Sequence, residues 1–285
     1  GTGDSGERQA DHEAFIQVLD GSTGRSWFYS FPSEEFYAAE DKFEIQIGEN
    51  SFNSKGIKLD LPILKGEISF ESEFVPWLVT FSQPGIMGWY GFVPFMECFH
   101  GIVSFRHQLS GTLEIEGSTR SFESGKGYIE TDWGKSFPAG YIWMQSNHFD
   151  FNEQTSLIAS AAIIPWLGKS FRGFIIGLHH EGKLYSWTTY NSSKEVNIQI
   201  TNKEVIWELY GPAGTISIRA ERSRGGLLHA PLNKDMHRRV EETMDSRISI
   251  SFKDREEALI CKGIGSAGAL EVFGDLNRLL NQKER

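Results

Sequence analysis

Cysteine is scarce in this chain of 285 residues: only Cys98 and Cys261 occur, far apart and without CxxC or Cys/His ligand spacing. That excludes a disulfide framework and a cysteine-based zinc site, and both are read as small buried hydrophobes. No apolar run reaches the roughly 18 residues that a membrane-spanning helix requires. Basic charge is in deficit, with 28 Lys and Arg against 38 Asp and Glu, a formal net charge of -10. Sequence-independent binding to nucleic acid needs a basic face, so it is not expected here. The one basic cluster, His237 to Arg239, sits among acids in KDMHRRVEETMD and reads as a solvated polar segment. No fixed-period repeat is present, which excludes propellers and solenoids. GxSxG, GxGxxG, P-loop and HExxH motifs are also absent, so ordinary hydrolase, nucleotide and zinc-protease readings have no support. The opening GTGDSGERQADHE resembles neither a signal nor a transit peptide and reads as a polar loop. The expected location is cytoplasmic, and a lipophilic ligand would bring at least transient membrane contact.

What is abundant is aromatic: 13% of residues, with 21 Phe and 8 Trp. Such an excess suggests aromatic-walled cores or an apolar pocket. The length suffices for a sizeable core and for two domains. Alternation of apolar and polar residues dominates, as in KFEIQIGEN (42–50), KGEISFESEF (65–74), EVNIQITN (195–202) and SRISISFKD (246–254). Period two is the signature of strands with one wet face, and the Gly, Asn, Asp and Ser breaks between them predict an antiparallel all-β protein of roughly twenty strands. Helical periodicity is confined to about two turns over Met236 to Thr243 and to a short amphipathic helix after Gly274 and Asp275. The division between two β units is expected near residue 125, giving units of 1–125 and 126–285.

Two stretches concentrate unusual chemistry. Residues 82–101, SQPGIMGWYGFVPFMECFHG, are nearly uncharged and rich in Gly, Pro and aromatics. They predict a cavity-lining loop or a buried crossover, in which Glu97 and His100 need partners if buried. The second stretch is GYIETDWGKSFPAGYIWMQSNHF (127–149). Alternation puts Tyr141, Trp143, Gln145 and Asn147 on one strand face, opposite Ile142, Met144, Ser146 and His148. A face of rings and amides is too polar for a plain core and too aromatic for solvent, and it fits an amphiphilic ligand cavity. Asp132 beside Trp133 is either a desolvated carboxyl able to act as an acid or a turn residue binding backbone N–H groups. Arg106 and His107 read as surface or interface residues. His179 and His180, before an EGK turn, read as an exposed hairpin end without further metal ligands.

The second stretch resembles the central signature of the tocopherol cyclase family, with Asp132, Trp133, Gly134, Phe137, Pro138, Trp143, Gln145, Asn147 and Phe149 in the matching places. Flanking similarities lie in GIMGWYGFVPFMECFHGIVSFRHQLSGTLEIEG upstream and in LHAPLNKDM (228–236) and GSAGALEVFGDL (265–276) downstream. Members of this family begin with an FEGWYFK-like strand, which is not seen here, so the first strand is expected to be missing. The family is also similar to the carotenoid hydratase group, which implies two lipocalin-like β units. The resemblance implies protonation of an isoprenoid double bond and capture of the cation by a phenol, without cofactor or metal. It implies Asp132 as general acid, Glu97 as its rival with His100 as partner, and Tyr141 as a proton relay. Trp133 and Trp143 become cation-stabilising walls, Gln145 and Asn147 the head-group contacts, and Trp89 and Tyr90 further substrate contacts. The expected partner is a hydrophobic small molecule and not nucleic acid. A lipocalin-like carrier without chemistry and an isoprenoid hydratase are the competing readings.

Overall fold

The computed structural model describes residues 13–81, 84–93, 96–223, 225–232 and 235–282, with side chains throughout these except at 229–232 and 235–240. The segment ahead of Glu13 and the side chains of His237 to Arg239 thus lie outside the described residues. Strands dominate: β1 (Glu13–Asp20), β2 (Arg25–Pro32), β3 (Phe36–Ala38), β4 (Glu44–Ile47), β5 (Asn50–Asn53), β6 (Gly56–Leu61) and β7 (Leu64–Phe70) come first. They are followed by β8 (Cys98–Ile115), β9 (Ser118–Ser121), β10 (Gly125–Gly134), β11 (Gly140–Ser146), β12 (His148–Phe149), β13 (Ser156–Trp166) and β14 (Lys169–His180). The last are β15 (Lys183–Thr188), β16 (Lys194–Ile200), β17 (Glu204–Gly211), β18 (Gly214–Glu221), β19 (Gly226–Leu232), β20 (Asp235–Lys253) and β21 (Leu259–Gly274), before helix α1 (Leu276–Asn281). The all-β, lipocalin-like expectation holds. Among the described residues no helix is long and apolar enough to cross a membrane.

The chain separates into two compact units. One gathers residues 13–18, 27–71 and 109–125, the other 19–26, 72–108 and 126–282. In the first, β3 to β7 form a meander, β7 pairs with the C-terminal part of β8, and β9 folds back on β8. Period two turns Leu59, Leu61, Leu64, Ile68 and Leu113 inward to its core.

The second unit is built on a sheet of order β15-β14-β13-β11-β21-β20-β18-β17-β16, with antiparallel pairings that curve it toward a barrel. Its core is aromatic and dry: Trp187, Trp207 and Phe252 are fully buried, and Trp187 meets Phe252 edge-on at 5.1 Å. The indole of Trp187 also donates to the Gly214 carbonyl at 2.8 Å, which satisfies its buried N–H. Ile142 and Met144 of β11, Ala159, Ala161 and Ile163 of β13, and Leu270 of β21 all point into this core. Their alternating neighbours are therefore turned to the opposite face of the same sheet, where the candidate site lies.

Three sequence expectations are corrected here. Met236 to Thr243 is not helical but part of β20: β19 pairs with the stretch through Glu242, and β21 joins on the other side at Glu242 and Thr243. His107 is buried, 3% exposed, with Nδ1 3.1 Å from Ser104 Oγ, and burial lowers its pKa to about 4, so it is neutral. His179 and His180 are buried rather than exposed: Phe105 packs on the first and Phe151 on the second, and Thr155 Oγ1 lies 2.8 Å from His180 Nδ1. For His179 and His180 the aromatic cover comes from residues distant in sequence. The C-terminal helix follows the expected start, with the Asp275 carboxylate accepting from Arg278 N at 3.0 Å.

Candidate active site

A cavity of about 200 Å³ lies against the face of the second unit's sheet that turns away from the aromatic core. Its floor is made of small residues: Ser160 and Ala162 on β13 and Gly173 on β14, which directly opposes Ala162. A Cβ on Gly173 would lie 2.8 Å from Ile164 Cγ1, so glycine is what keeps this part of the floor open. Tyr141 and Trp143 of β11 and Phe171 of β14 give it aromatic sides. Met87, Tyr90 and Met96 of the 82–101 segment line it as well, so of the two readings of that segment, cavity-lining loop or buried crossover, its described part ahead of β8 fits the first. A 3-10 turn over Gly88–Phe92 shapes the loop, and Tyr190 holds it by donating to the Ile86 carbonyl at 2.7 Å.

Against these apolar walls stands a cluster of acids. On β10 the alternation Tyr128, Glu130, Asp132 presents three polar groups to one side, and β8 brings His100 to them. His100 Nδ1 donates to Asp132 Oδ1 at 2.5 Å, its Nε2 lies 3.7 Å from Glu130 Oε2, and Tyr128 donates to Glu130 Oε2 at 2.5 Å. From β21, Glu271 enters the same cavity and accepts from the Tyr141 hydroxyl at 2.6 Å. Gly134 closes the cluster at the end of β10: its φ of +150 is open to glycine, and a Cβ would sit 2.2 Å from the Glu97 carbonyl.

Burial sets the protonation states. It raises the Glu130 carboxyl to about 7, a shift opposed by the charge of His100 and reinforced by Asp132. Glu271 is raised as well, by burial first; the Tyr141 hydrogen bond works against this and Asp132 adds to it. Burial disfavours the His100 imidazolium, yet the Asp132 hydrogen bond and the charges of Glu130 and Asp132 outweigh it, so its pKa is raised. The Cys98 thiol, also in the cavity, is pushed up to about 12 by burial and then by Asp132 and Glu130, and is no thiolate nucleophile.

A stability prediction follows from Glu130. Its folded pKa lies above the ordinary 4.5, so the folded form binds the extra proton, and that contribution is lost as pH rises from 4.5 through about 7. Denaturant titrations at several pH values should show stability falling over this interval, with a shallower fall in Glu130→Gln.

His100, Glu130 and Asp132 also form a grouping of the kind that holds a cation, with ligand atoms all within 4.8 Å of one another. His100 Nδ1 and the Tyr128 hydroxyl already bond the two carboxylates, so the set is an internally hydrogen-bonded network and no metal is assigned to it.

A second cavity of about 610 Å³ continues along the same faces of β10 and β11. Glu130 and Trp143 line both cavities, while Lys126, Gln145, Asn147, His148 and Glu242 line only the second. Three buried polar atoms along this path make no hydrogen bond: His100 Nε2, Trp143 Nε1 and Gln145 Nε2.

The structure therefore brings together Asp132, Tyr141, Trp143, His100 and Tyr90 from the residues singled out in the sequence. Gln145 and Asn147 belong to the second cavity, where Asn147 is engaged by donating to the Gly127 carbonyl at 3.0 Å. Trp133 is 54% exposed and stacks on Phe99, and Trp89 stacks on Tyr90 at 4.0 Å; neither lines the first cavity. Glu97 is exposed and outside it, its carbonyl accepting from Lys135 N at 2.8 Å. Sequence reasoning missed Glu130, Glu271 and Glu242. Glu130 carried a signal, because it stands two residues before Asp132 on a strand and so shares its face.

Comparison with known proteins gives a coherent set of similarities. The family model described as tocopherol cyclase-like matches residues 65–274. The chain is 30% identical over 118 residues to a protein of Oryza sativa subsp. japonica named "Probable tocopherol cyclase, chloroplastic". It is 27% identical over 159 residues to the chloroplastic tocopherol cyclase of Zea mays. These alignments cover 40% and 54% of this chain but only 25% and 33% of the relatives, so the chain matches a quarter to a third of their length. Among solved structures, kievitone hydratase from Nectria haematococca superposes with a TM-score of 0.54 at 12% identity, covering 92% of this chain and 80% of that one. A protein described as AttH from Nitrosomonas europaea gives 0.52 at 11%, with coverages of 91% and 80%. Both likenesses are of fold.

Proposed function

The chain belongs to the tocopherol cyclase-like family, and from that premise we propose that it protonates an isoprenoid double bond and closes the cation on a phenol or quinol oxygen. The observation that carries this reading is an apolar cavity lined by two carboxyls with raised pKa values, Glu130 and Glu271, beside buried donors that lack a partner. Such a cavity suits an amphiphile with a long apolar chain and an oxygen-bearing head.

Two carboxyls in different surroundings make an acid and a base. Glu271 has no cation beside it among the described ion pairs, holds its proton, and is assigned as the donor to the alkene. Glu130 sits 3.7 Å from His100 Nε2, whose imidazolium favours the carboxylate, and is assigned as the base that takes the phenolic proton. Asp132, expected as the acid, is engaged in charging His100 and becomes a positioning residue. The balance is closed: the Glu271 O–H and the alkene π bond break, C–H and C–O bonds form, and the phenolic proton passes to Glu130. Trp143 and Tyr90 face the cavity and stabilise the tertiary cation, by about 0.5 to 2 kcal/mol per ring. The unpartnered Trp143 and Gln145 N–H groups are available to head-group oxygens.

The test is incubation with a phytyl-benzoquinol in deuterated buffer. The expected product is a chromanol carrying one deuterium on the ring carbon next to the one that bears oxygen. Its rate should rise as Glu130 ionises and fall again where Glu271 loses its proton. A second reading rests on the second cavity, which reaches Glu130 from a polar side where water would be the nucleophile. It gives a deuterated tertiary alcohol instead. Tight binding of the quinol without either product would leave a carrier and defeat both enzymatic readings.

A further inference from the structure

Glu242 has no part in the chemistry above, and its position is unusual. It lies on β20 directly opposite Glu271 of β21 in the antiparallel register. Cross-strand partners share one face of a sheet, so the two carboxyls project to the same side at the shortest side-chain spacing a sheet offers. Like charges directly opposed in this way destabilise the pair, and burial removes the water that would screen them. Its partner on the other side, Gly226 of β19, has no side chain to relieve it. None of the described ion pairs includes Glu242 or Glu271.

The other titratable groups around the pair are Tyr141, which donates to Glu271, and Glu130 with its partner Tyr128, across on β10. Asp132 adds negative charge that acts on Glu271. Lys126 and His148 line the second cavity with Glu242; burial, and then the Lys126 charge, lowers the His148 pKa, so that ring is no counter-charge. Glu242 therefore stands where the second cavity meets the first: it lines one, Glu271 lines the other, and Glu130 lines both.

We propose that Glu242 and Glu271 share a single proton, and that Glu242 is the relay that returns the proton from Glu130 to Glu271 after each turnover. This rests on the acid–base reading above. In that cycle Glu130 gains the phenolic proton while Glu271 loses its own, so each turnover leaves Glu130 with a proton to give up and Glu271 with one to regain. An internal path between them would reset both without exchange through bulk water. A carboxyl that is electrostatically coupled to both is placed to carry that proton, by accepting on one oxygen and donating from the other. The directions of titration agree: burial is the largest cause of the raised Glu242 pKa, followed by the charges of Glu271 and Glu130.

Infrared titration of the protonated-carboxyl stretch tests the shared proton on the intact chain without substrate. Wild type should retain a protonated carboxyl above pH 7. In Glu242→Gln the remaining group loses its partner's charge and should ionise more than about 1 pH unit lower, while Glu242→Asp should restore the wild-type titration. An unchanged band in Glu242→Gln overturns the proposal. Kinetics with the phytyl-benzoquinol tests the relay: steady-state turnover of Glu242→Gln should fall about 100-fold while single-turnover protonation from the preloaded enzyme keeps its rate. Equal losses in both regimes would mean a donor or a structural role, and would overturn the relay. If the band behaves as stated and wild type converts no prenylated quinol, the functional reading fails and the shared proton stands.

Discussion

Glu271→Gln is expected to lower turnover of a phytyl-benzoquinol by about 10²- to 10⁴-fold, the range of a positioned general acid. The isosteric amide keeps the shape of the cavity wall and can still accept from the Tyr141 hydroxyl, which lies 2.6 Å from the carboxylate. Ligand affinity should therefore change little, and the loss should appear in kcat rather than KM. Folding should not suffer, because the substitution removes one of two opposed buried acids. Asp132→Asn should act differently. It uncharges His100 by removing the carboxylate that raises its pKa, and so moves the acidic limb of the pH–rate profile by releasing Glu130 from the imidazolium. If Asp132→Asn abolished the deuterium-labelled product at every pH while Glu271→Gln retained it, the two roles would have to be exchanged.

The largest effect on stability is expected at Arg172, well away from the acids. Its guanidinium on β14 donates from Nε to Glu195 Oε2 at 2.6 Å and from one terminal nitrogen to the carbonyls of Leu279 and Leu280 at 2.9 and 3.1 Å. Glu195 in turn accepts from the Trp207 indole at 2.8 Å, and the two charged side chains are only 8% and 2% exposed. Arg172→Leu leaves a buried carboxylate without its cation and the end of α1 without its donors. The expected cost is about 3 to 5 kcal/mol, measured as a shift in the denaturant midpoint. Most of that cost belongs to the stranded charge, so adding Glu195→Gln to Arg172→Leu should recover part of it. Equal loss in the single and double variants would instead assign the effect to the α1 carbonyls.

The strand content was legible, and residues 82–101 were narrowed to a cavity-lining loop or a buried crossover, because both rest on local quantities: period two along the chain and the absence of charge. The same logic placed Tyr141 and Trp143 together on a face, since alternation needs no knowledge of partners. It could also have linked Glu130 to Asp132, two residues apart on β10. Glu271 was not legible as a site residue. The stretch GALEVFG reads as one more amphipathic strand, and only the pairing of β21 with β11 and β20 sets its carboxyl beside Tyr141 and opposite Glu242. Met236 to Thr243 failed for the same reason, because pairing with β19, joined by β21 at Glu242 and Thr243, overrode a weak helical period. His179 and His180 were misjudged because their cover, Phe105 and Phe151, is not adjacent in sequence.

By itself, the sequence determined an all-β chain without disulfides, an uncharged aromatic segment unlike a regular amphipathic strand, and a strand presenting rings to one side. These follow from side-chain chemistry and the two-residue repeat of a strand, which every register preserves. Which acid keeps its proton was decided only by tertiary structure. A carboxyl's pKa depends on how much water it loses and which charges it meets, and for Glu130, Glu242 and Glu271 both are set by strands that lie far apart in the chain.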